Sequence, residues 1–480
     1  MGDRTLTAGV ARVDITPPIG FRMQGLMRRS GPSVGVESPL HATALVLADQ
    51  DTKVVVVDCD LIGLDLPLAN TIRQTIGDRV GTHAHNVMVG CTHTHNGPCT
   101  SRGNLGGPHH ASPRPGEIEA LDEYIDSLVV RLGNLAGDAD RKRRPARVAT
   151  GRGSAAVSIN REELAGDGRV LVGRNPDGPT DQMVDVVRID DLEGGPIAVL
   201  TGYAAHPVVM GMNDLLISPD FPGVVRRTVE SVTGAMCLYL TGAAGNQATI
   251  SFLQDDWGEQ ERIGGIVGSE AGKVFFELET RPHEVVREVG SSLANLALYH
   301  KSFREGPTHR TLKAARREAS VPLQPLPSLD QAQAALAEAI ATLIDMEADQ
   351  VPIGDRYPAL LVKVWAEGVL GKVKTGQTQA SLSFDITGFR LDDFVLVGMP
   401  GEPFVEIGLA VKALSKARHT MFAGYCNGVA AYWPTPETVA CGGMAVEAAV
   451  KTYGNPTPPV SETVELLVAQ FGQLLNDLGA

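Results

Sequence analysis

The pattern of apolar residues predicts an α/β fold made of layered, mixed β-sheets flanked by helices. Three observations carry this. Strand-like and helix-like stretches alternate along the whole chain. Some strand-like runs, such as VVVVDCD at residues 54–60, are apolar on both faces, as strands covered on both sides must be. Others come in pairs joined by short polar turns, which adds hairpins to the crossover connections.

Taken in order, Thr5 to Ile15 reads as a strand closed by Thr16-Pro17-Pro18, and Phe21 to Pro39, rich in Gly and Arg, as a loop. His41 to Ala48 and Lys53 to Cys59 flank Asp49-Gln50-Asp51 and predict a hairpin whose second strand is central. Leu68 to Ile76 predicts a short helix and Val87 to Cys91 a buried strand. Arg102 to Pro115, with His109 and His110, has the length and composition of a lid or binding loop. Ile118, Leu121, Ile125, Leu128, Leu132 and Leu135 recur at three- and four-residue spacing, the mark of an amphipathic helix. Strands follow around Ala146 to Thr150, Met183 to Ile189 and Ile197 to Tyr203. Asp220 to Val232 predicts a helix with Asp220 as its N-cap and Pro222 in its first turn, before a strand from Cys237 to Leu240. Gln260 to Glu279 and Glu284 to Phe303 predict two helices broken near Arg281-Pro282. Ser328 to Glu347 predicts a third, with Ser328 and Gln331 at capping-box spacing. Gln379 to Ile386 and Phe394 to Gly398 form a second predicted hairpin, followed by helices from Phe404 to Leu414 and Val460 to Leu478.

Composition narrows the function. A net charge of −14 argues against nucleic-acid or anionic-membrane partners. The basic run Arg141-Lys142-Arg143-Arg144 reads as a solvated connection. The six cysteines form no CxxC pair, which removes thiolate zinc knots and thioredoxin-type redox chemistry. The longest apolar stretch, Pro196 to Met212, is broken by Gly202, His206 and Pro207, so no membrane insertion is expected. The opening MGDRTLTAG has no signal-peptide core, and a cytoplasmic location is the expectation. With no repeat and no low-complexity linker, residues 1–480 are expected to form a single domain acting on a small-molecule substrate; a homo-oligomer stays open.

Four segments share one design, in which an apolar strand runs into a Gly/Pro turn bearing a polar or metal-capable side chain. They are CTHTHNGP with His93 and His95, GYAAHPVV with His206, LTGAAGNQ with Asn246, and GMPGEPF with Glu402. Functional groups collect on such loops because the sheet fixes their positions. His93 and His95 alternate, so they leave the strand end on one side. Two histidines, one carboxylate and a position left for water are a recognised catalytic zinc set.

Together these motifs resemble the neutral/alkaline ceramidases. AGVARVDITPP, VVVVDCDLIG, THTHNGP, SINREELA, AAHPV, SPDFPG, GAAGN, GMPGEP and CNGVAAYWPT occur in the family's order along nearly the whole chain. The resemblance implies a ceramidase-like catalytic domain that binds Zn2+ through His93, His206, Glu402 and Tyr432, with Tyr425 the nearest rival for the tyrosine. It further implies that His95 and Arg161 face the substrate carbonyl, and that an amide (N-acyl) bond is hydrolysed by a zinc-activated water. Asp60 and His95 are candidates for the proton acceptor.

Three departures mark a divergent relative. Gly245 stands where ceramidases carry a serine, Met444 stands where they have a second active-site tyrosine, and Val429 replaces the tyrosine that often opens the late motif. The family's C-terminal β-sandwich is not expected in this chain. These departures favour a small soluble amide over a membrane sphingolipid. An ester, lactone or glycosidic bond, or a non-catalytic binding role, is the alternative. GPSVG at Gly31 to Gly35 fits a serine-hydrolase elbow by pattern, but its flanks do not read as strand and helix, so Ser33 is expected in a loop. The glycine run GRGSAA at Gly151 lacks the acidic residue of a dinucleotide fingerprint.

Overall fold

The computed structural model describes residues 5–26, 29, 31–101, 114–288, 296–304, 306 and 311–480. Residues 102–113, most of the expected lid with His109 and His110, lie outside them. Eight strands form one mixed sheet in the order Met236–Thr241, Pro196–Tyr203, Met183–Asp191, Arg144–Ser154, Thr7–Asp14, His41–Ala48, Lys53–Cys59, Val87–Cys91. The two outermost pairs are parallel and the five pairings between them antiparallel. A second sheet has four strands, in the order Leu312–Pro322, Ser381–Leu391, Phe394–Gly398, His419–Ala423, with the last pair parallel.

Alternation along the strands sets the layering. In Lys53–Cys59, Val55, Val57 and Cys59 face the helices Leu66–Val80 and Glu117–Arg141. Val54 and Val56 face the second sheet instead, meeting a core that contains Leu312, Phe389, Leu396 and Met421. The strand Met236–Thr241 divides likewise: Leu238 and Leu240 face the second sheet, and Cys237 and Tyr239 face the helices Asp220–Thr233 and Trp257–Glu277. The far side of the second sheet is covered by Val405–Leu414 and Thr463–Leu478 through Val395, Val397, Ile407, Val411 and Phe471. The result is four layers: helix, sheet, sheet, helix. The expected mixed, layered α/β class is the one observed.

Most predicted elements fall where the periodicity puts them. The first hairpin and the strand before the histidines are matched residue for residue. The capping box of Ser328 and Gln331 is formed. Ser33 lies in a loop, where its hydroxyl accepts from Gly20 N at 3.1 Å, and Gly151 lies inside a strand. Asp220 is not the N-cap. Pro219 holds that position, and the Asp220 carboxylate accepts from Phe221 N and Val209 N.

The largest correction is Glu284 to Phe303, expected as a helix. His283–Glu288 and Leu298–Phe303 pair as an antiparallel hairpin in which Val285 faces Lys301 and Arg287 faces Tyr299. The apolar spacing there suits either element, and the Gly290-Ser291-Ser292 break and β-branched Val285 and Val286 favour the strand. The strands Ser158–Leu164 and Leu312–Pro322 and the helix Ile353–Lys374, which carries Pro358, were not expected. No helix among the described residues is long and apolar enough to cross a membrane.

Beneath the histidine strand lies a buried charge cluster. Arg226 donates to Asp58 at 3.1 Å and to Asp60 at 2.5 Å, with all three side chains nearly solvent-free. Asp58 also accepts from Thr43 N and Tyr239 N, and Asp60 from His41 N and the Thr92 hydroxyl. These bonds tie the two strands Lys53–Cys59 and Met236–Thr241 to the helix Asp220–Thr233. Replacing Arg226 by Met leaves two carboxylates buried without compensation, and is expected to lower stability by about 3–5 kcal/mol. Urea unfolding checks this; a loss of under about 1 kcal/mol, the level of an exposed ion pair, would refute it.

Candidate metal centre

The site is assembled where strand carboxyl ends of both sheets meet. Val87–Cys91 leads to His93 and His95, Pro196–Tyr203 to His206, Phe394–Gly398 to Glu402, and His419–Ala423 to Tyr425. Backbone bonds stitch these ends together. Cys91 N donates to Tyr425 O at 3.1 Å, Gly424 N to Thr241 O at 3.0 Å, and Gly245 N to Pro403 O at 2.8 Å. Glu402 and Tyr432 are paired in register as two short parallel strands. His93 itself adopts a left-handed backbone, φ 69°, a strained state for a histidine that its surroundings must enforce. Its amide bonds to Leu61 O at 2.9 Å.

The imidazoles are oriented by carbonyls. His93 Nδ1 lies 2.5 Å from Ile62 O, and His206 Nδ1 lies 2.9 Å from Ala244 O. A carbonyl only accepts, so each Nδ1 carries the proton and each Nε2 presents a lone pair. Those two Nε2 atoms are 3.0 Å apart. Glu402 Oε2 is 3.3 Å from the first and 3.5 Å from the second. Three acceptors thus converge on one point, as metal ligands backed by carbonyl acceptors do. His95 joins them: one ligand nitrogen from each of His93, His95 and His206 lies within 4.8 Å of the others. Neither ring nitrogen of His95 has a hydrogen-bond partner among the described residues. Burial pushes the His206 and His95 pKa values well below the usual imidazole range, and nearby Arg161 and His93 add to it. Burial opposes the Glu402 charge, but His93 and two tyrosines outweigh it and hold its pKa below the usual carboxylate value.

Three tyrosines surround Glu402. The Tyr425 hydroxyl is 3.4 Å from Glu402 Oε2 and 3.4 Å from His206 Nδ1, the nitrogen already facing Ala244 O. Tyr432 sits opposite Glu402 in register, its hydroxyl accepting from Arg161 Nη2 at 3.1 Å. Tyr453 donates to Glu402 Oε1. Burial pushes all three phenols well above the usual range, and Glu402 adds to this. They are neutral hydroxyls around one carboxylate.

A cavity of about 240 Å3 opens onto this cluster, lined by His93, His95, Glu402, Tyr432 and Tyr453. Its outer wall is largely apolar and includes Leu26, Ile62, Leu361, Val429 and Met444. Small-molecule pockets have this make-up, apolar walls with a few convergent polar groups.

Of the residues expected from sequence, His93, His206, Glu402 and Tyr432 come together, and His95 faces the cavity. Arg161 does not line it. Its Nε and Nη2 are bonded to Gly245 O at 3.1 and 2.7 Å, and it reaches the cavity only through Tyr432. Asp60, a candidate proton acceptor, is excluded by its engagement with Arg226 and by its place outside the cavity. Asn246 holds the loop, donating to Glu406 and accepting from Val405 N. At Gly245 an added Cβ would lie 2.6 Å from Glu402 O, so no side chain, serine included, fits the present backbone there. Tyr453 has no signal in the sequence, because it sits beyond the CNGVAAYWPT run with no motif of its own.

The fold and the site define a layered α/β protein with a buried histidine cluster that could hold a metal at its strand ends. Residues 6–238 match the family model described as neutral/alkaline non-lysosomal ceramidase, N-terminal. Neutral ceramidase A and neutral ceramidase B of Dictyostelium discoideum are each 25% identical over 240 and 236 residues respectively. Those alignments cover 46% of this chain and 31% of each relative, less than a third of the relatives' length. Among solved structures, the neutral ceramidase of Pseudomonas aeruginosa superposes with a TM-score of 0.65 at 19% identity, covering 99% of this chain and 75% of that one. A ceramidase complexed with C2 superposes with a TM-score of 0.66 at 18% identity, covering 99% and 76%. The chain is a divergent relative of the neutral/alkaline ceramidase family.

The converging lone pairs generate a direct test. His93→Ala and His206→Ala are each expected to reduce bound metal to a small fraction of the wild-type content, measured by elemental analysis after loading with zinc and desalting. Full retention by both variants would overturn the site.

Proposed function

We propose that the chain is a zinc-dependent hydrolase of an amide (N-acyl) bond in a small substrate. In this reading His93, His206, Glu402 and Tyr432 hold the ion. The observation that carries it is the pair of Nε2 lone pairs facing each other at 3.0 Å beside Glu402 Oε2. With both Nδ1 protons committed to carbonyls, a bound cation relieves that arrangement of acceptors, as a proton on one Nε2 would in the empty site. The donor set of imidazoles, carboxylate and phenol oxygen suits zinc. Bound zinc polarises a carbonyl and lowers the pKa of a coordinated water to about 7.

The chain's own groups account for the rest. Ile62 and Ala244 carbonyls fix the histidine tautomers. Arg161 fixes the Tyr432 phenol from behind, at 3.1 Å. His95 is the side chain left to act on substrate: half-buried, neutral and with no hydrogen-bond partner for either ring nitrogen among the described residues, it can donate to a carbonyl oxygen on which negative charge develops. The same neutral imidazole can accept a proton at its other nitrogen, which makes it the remaining candidate for the base. The crowding at Gly245 supports direct attack by water over an acyl-enzyme route.

The substrate reading rests on the cavity wall. Two positions where the family has tyrosines, Val429 and Met444, both line it and present apolar surface. An apolar, compact acyl group fits such a wall better than a polyhydroxylated sugar does. Hydrolysis of N-acyl compounds, short esters and lactones, and simple glycosides by the zinc-loaded protein tests the class. Activity confined to glycosides or esters would discard the amide reading, and activity on long-chain ceramide in preference to small amides would discard the substrate size.

His95→Ala is expected to cut turnover about 100- to 1000-fold, the usual effect of losing one oxyanion donor, with metal content unchanged. Single-substrate kinetics with parallel metal analysis checks this. Loss of the metal together with activity would move His95 into the ligand set.

A further inference from the structure

We infer that Tyr453 is a positioning residue that makes Glu402 a one-oxygen ligand. The inference rests on the metal site proposed above. Each oxygen of Glu402 has a separate environment. Oε2 faces His93 Nε2, His206 Nε2 and the Tyr425 hydroxyl at 3.3–3.5 Å. Oε1 is taken by the Tyr453 hydroxyl. A carboxylate has two near-equivalent oxygens and turns easily about its last bond. A phenol donating to one of them fixes which oxygen meets the ion.

Tyr453 is itself held firmly. Its amide donates to Ala449 O at 2.8 Å, closing the short helix Ala448–Thr452. Two residues on, the Asn455 side chain donates to Ala430 O at 2.9 Å, and Asn455 O accepts from Trp365 Nε1 at 2.7 Å. That bond to Ala430 anchors the turn to the segment carrying Tyr432. The rings of Tyr453 and Tyr432 meet edge to face, centroids 6.1 Å apart. Met444, where the family has a tyrosine, packs in the same cluster. The Tyr453 hydroxyl is thus aimed at the Glu402 oxygen that does not face the histidines.

Supporting partners of this kind are worth about 10- to 100-fold in metal affinity. Tyr453→Phe keeps the ring and removes only the hydroxyl. It is expected to weaken zinc binding by about that factor in a chelator competition that needs no substrate. Because the effect runs through Glu402, Tyr453→Phe in a Glu402→Ala background is expected to cause no further loss. An equal loss in both backgrounds would assign the effect to packing and overturn the inference, even if Tyr453→Phe alone folds poorly. Wild-type affinity in Tyr453→Phe would overturn the inference alone. A wild-type chain that takes up no zinc would overturn the site reading with it.

Discussion

Two lone pairs 3.0 Å apart, on His93 Nε2 and His206 Nε2, are the constraint around which the strand ends are arranged. Neutral imidazoles do not settle nitrogen to nitrogen in a dry interior without a reason, since each lone pair is better off with a donor. Here the donors are directed away, into Ile62 O and Ala244 O. A carboxylate is added to the same point, where it deepens the concentration of acceptors. The fold enforces this through a strained backbone at His93, through carbonyls on separate loops, and through a buried Asp58–Arg226–Asp60 cluster beneath. Arrangements that cost stability in the empty protein are characteristic of sites that a ligand completes.

The layering explains how distant stretches of sequence arrive at one place. Each of the three parallel pairs within the two large sheets, one in the second sheet and one at either edge of the first, sends its carboxyl ends in one direction. Face-to-face packing of the two sheets brings these ends together, and backbone bonds such as Asn427 N to Val89 O at 2.7 Å lock one sheet's loops to the other. Antiparallel strands make up the interior of the large sheet and add no polar group to the cluster. The parallel pairs are therefore the functional part of the architecture, and the hairpins are the scaffold that spaces them.

Much of this was legible in the sequence. Strands buried on both faces, such as Lys53–Cys59, announce themselves as unbroken apolar runs, and the chemistry-bearing turns follow them directly. That is why His93, His95, His206 and Glu402 stand out in the sequence alone. Three kinds of feature were hidden. The paired strands His283–Glu288 and Leu298–Phe303 read as a helix in the sequence because their apolar spacing suits either element. Arg161 was placed against substrate, yet its direction depends on the carbonyl of Gly245, a contact across 84 residues that no local pattern encodes. Tyr453 was missed for the same reason: its hydroxyl meets a carboxylate 51 residues away, through a turn whose position is set by Asn455.

The departures from the ceramidase pattern now have a common physical sense. A substitution at His93, His206 or Glu402 would destroy the converging acceptors. The changes lie one step outward. At Gly245 the present backbone leaves no room for a side chain beside Glu402 O, so the serine is incompatible with this packing of the two loops. At Val429 and Met444 hydroxyls are exchanged for apolar surface on the cavity wall, which alters what the cavity receives without touching the tautomers or the carboxylate. Loss of a hydroxyl beside Glu402 would nevertheless leave Oε1 without a donor in a buried site, a cost of about 1–3 kcal/mol for an unmet acceptor and more for a charged one. Tyr453 removes that cost from a different part of the chain. Holding the carboxylate therefore constrains the structure more tightly than the sequence position of the group that holds it.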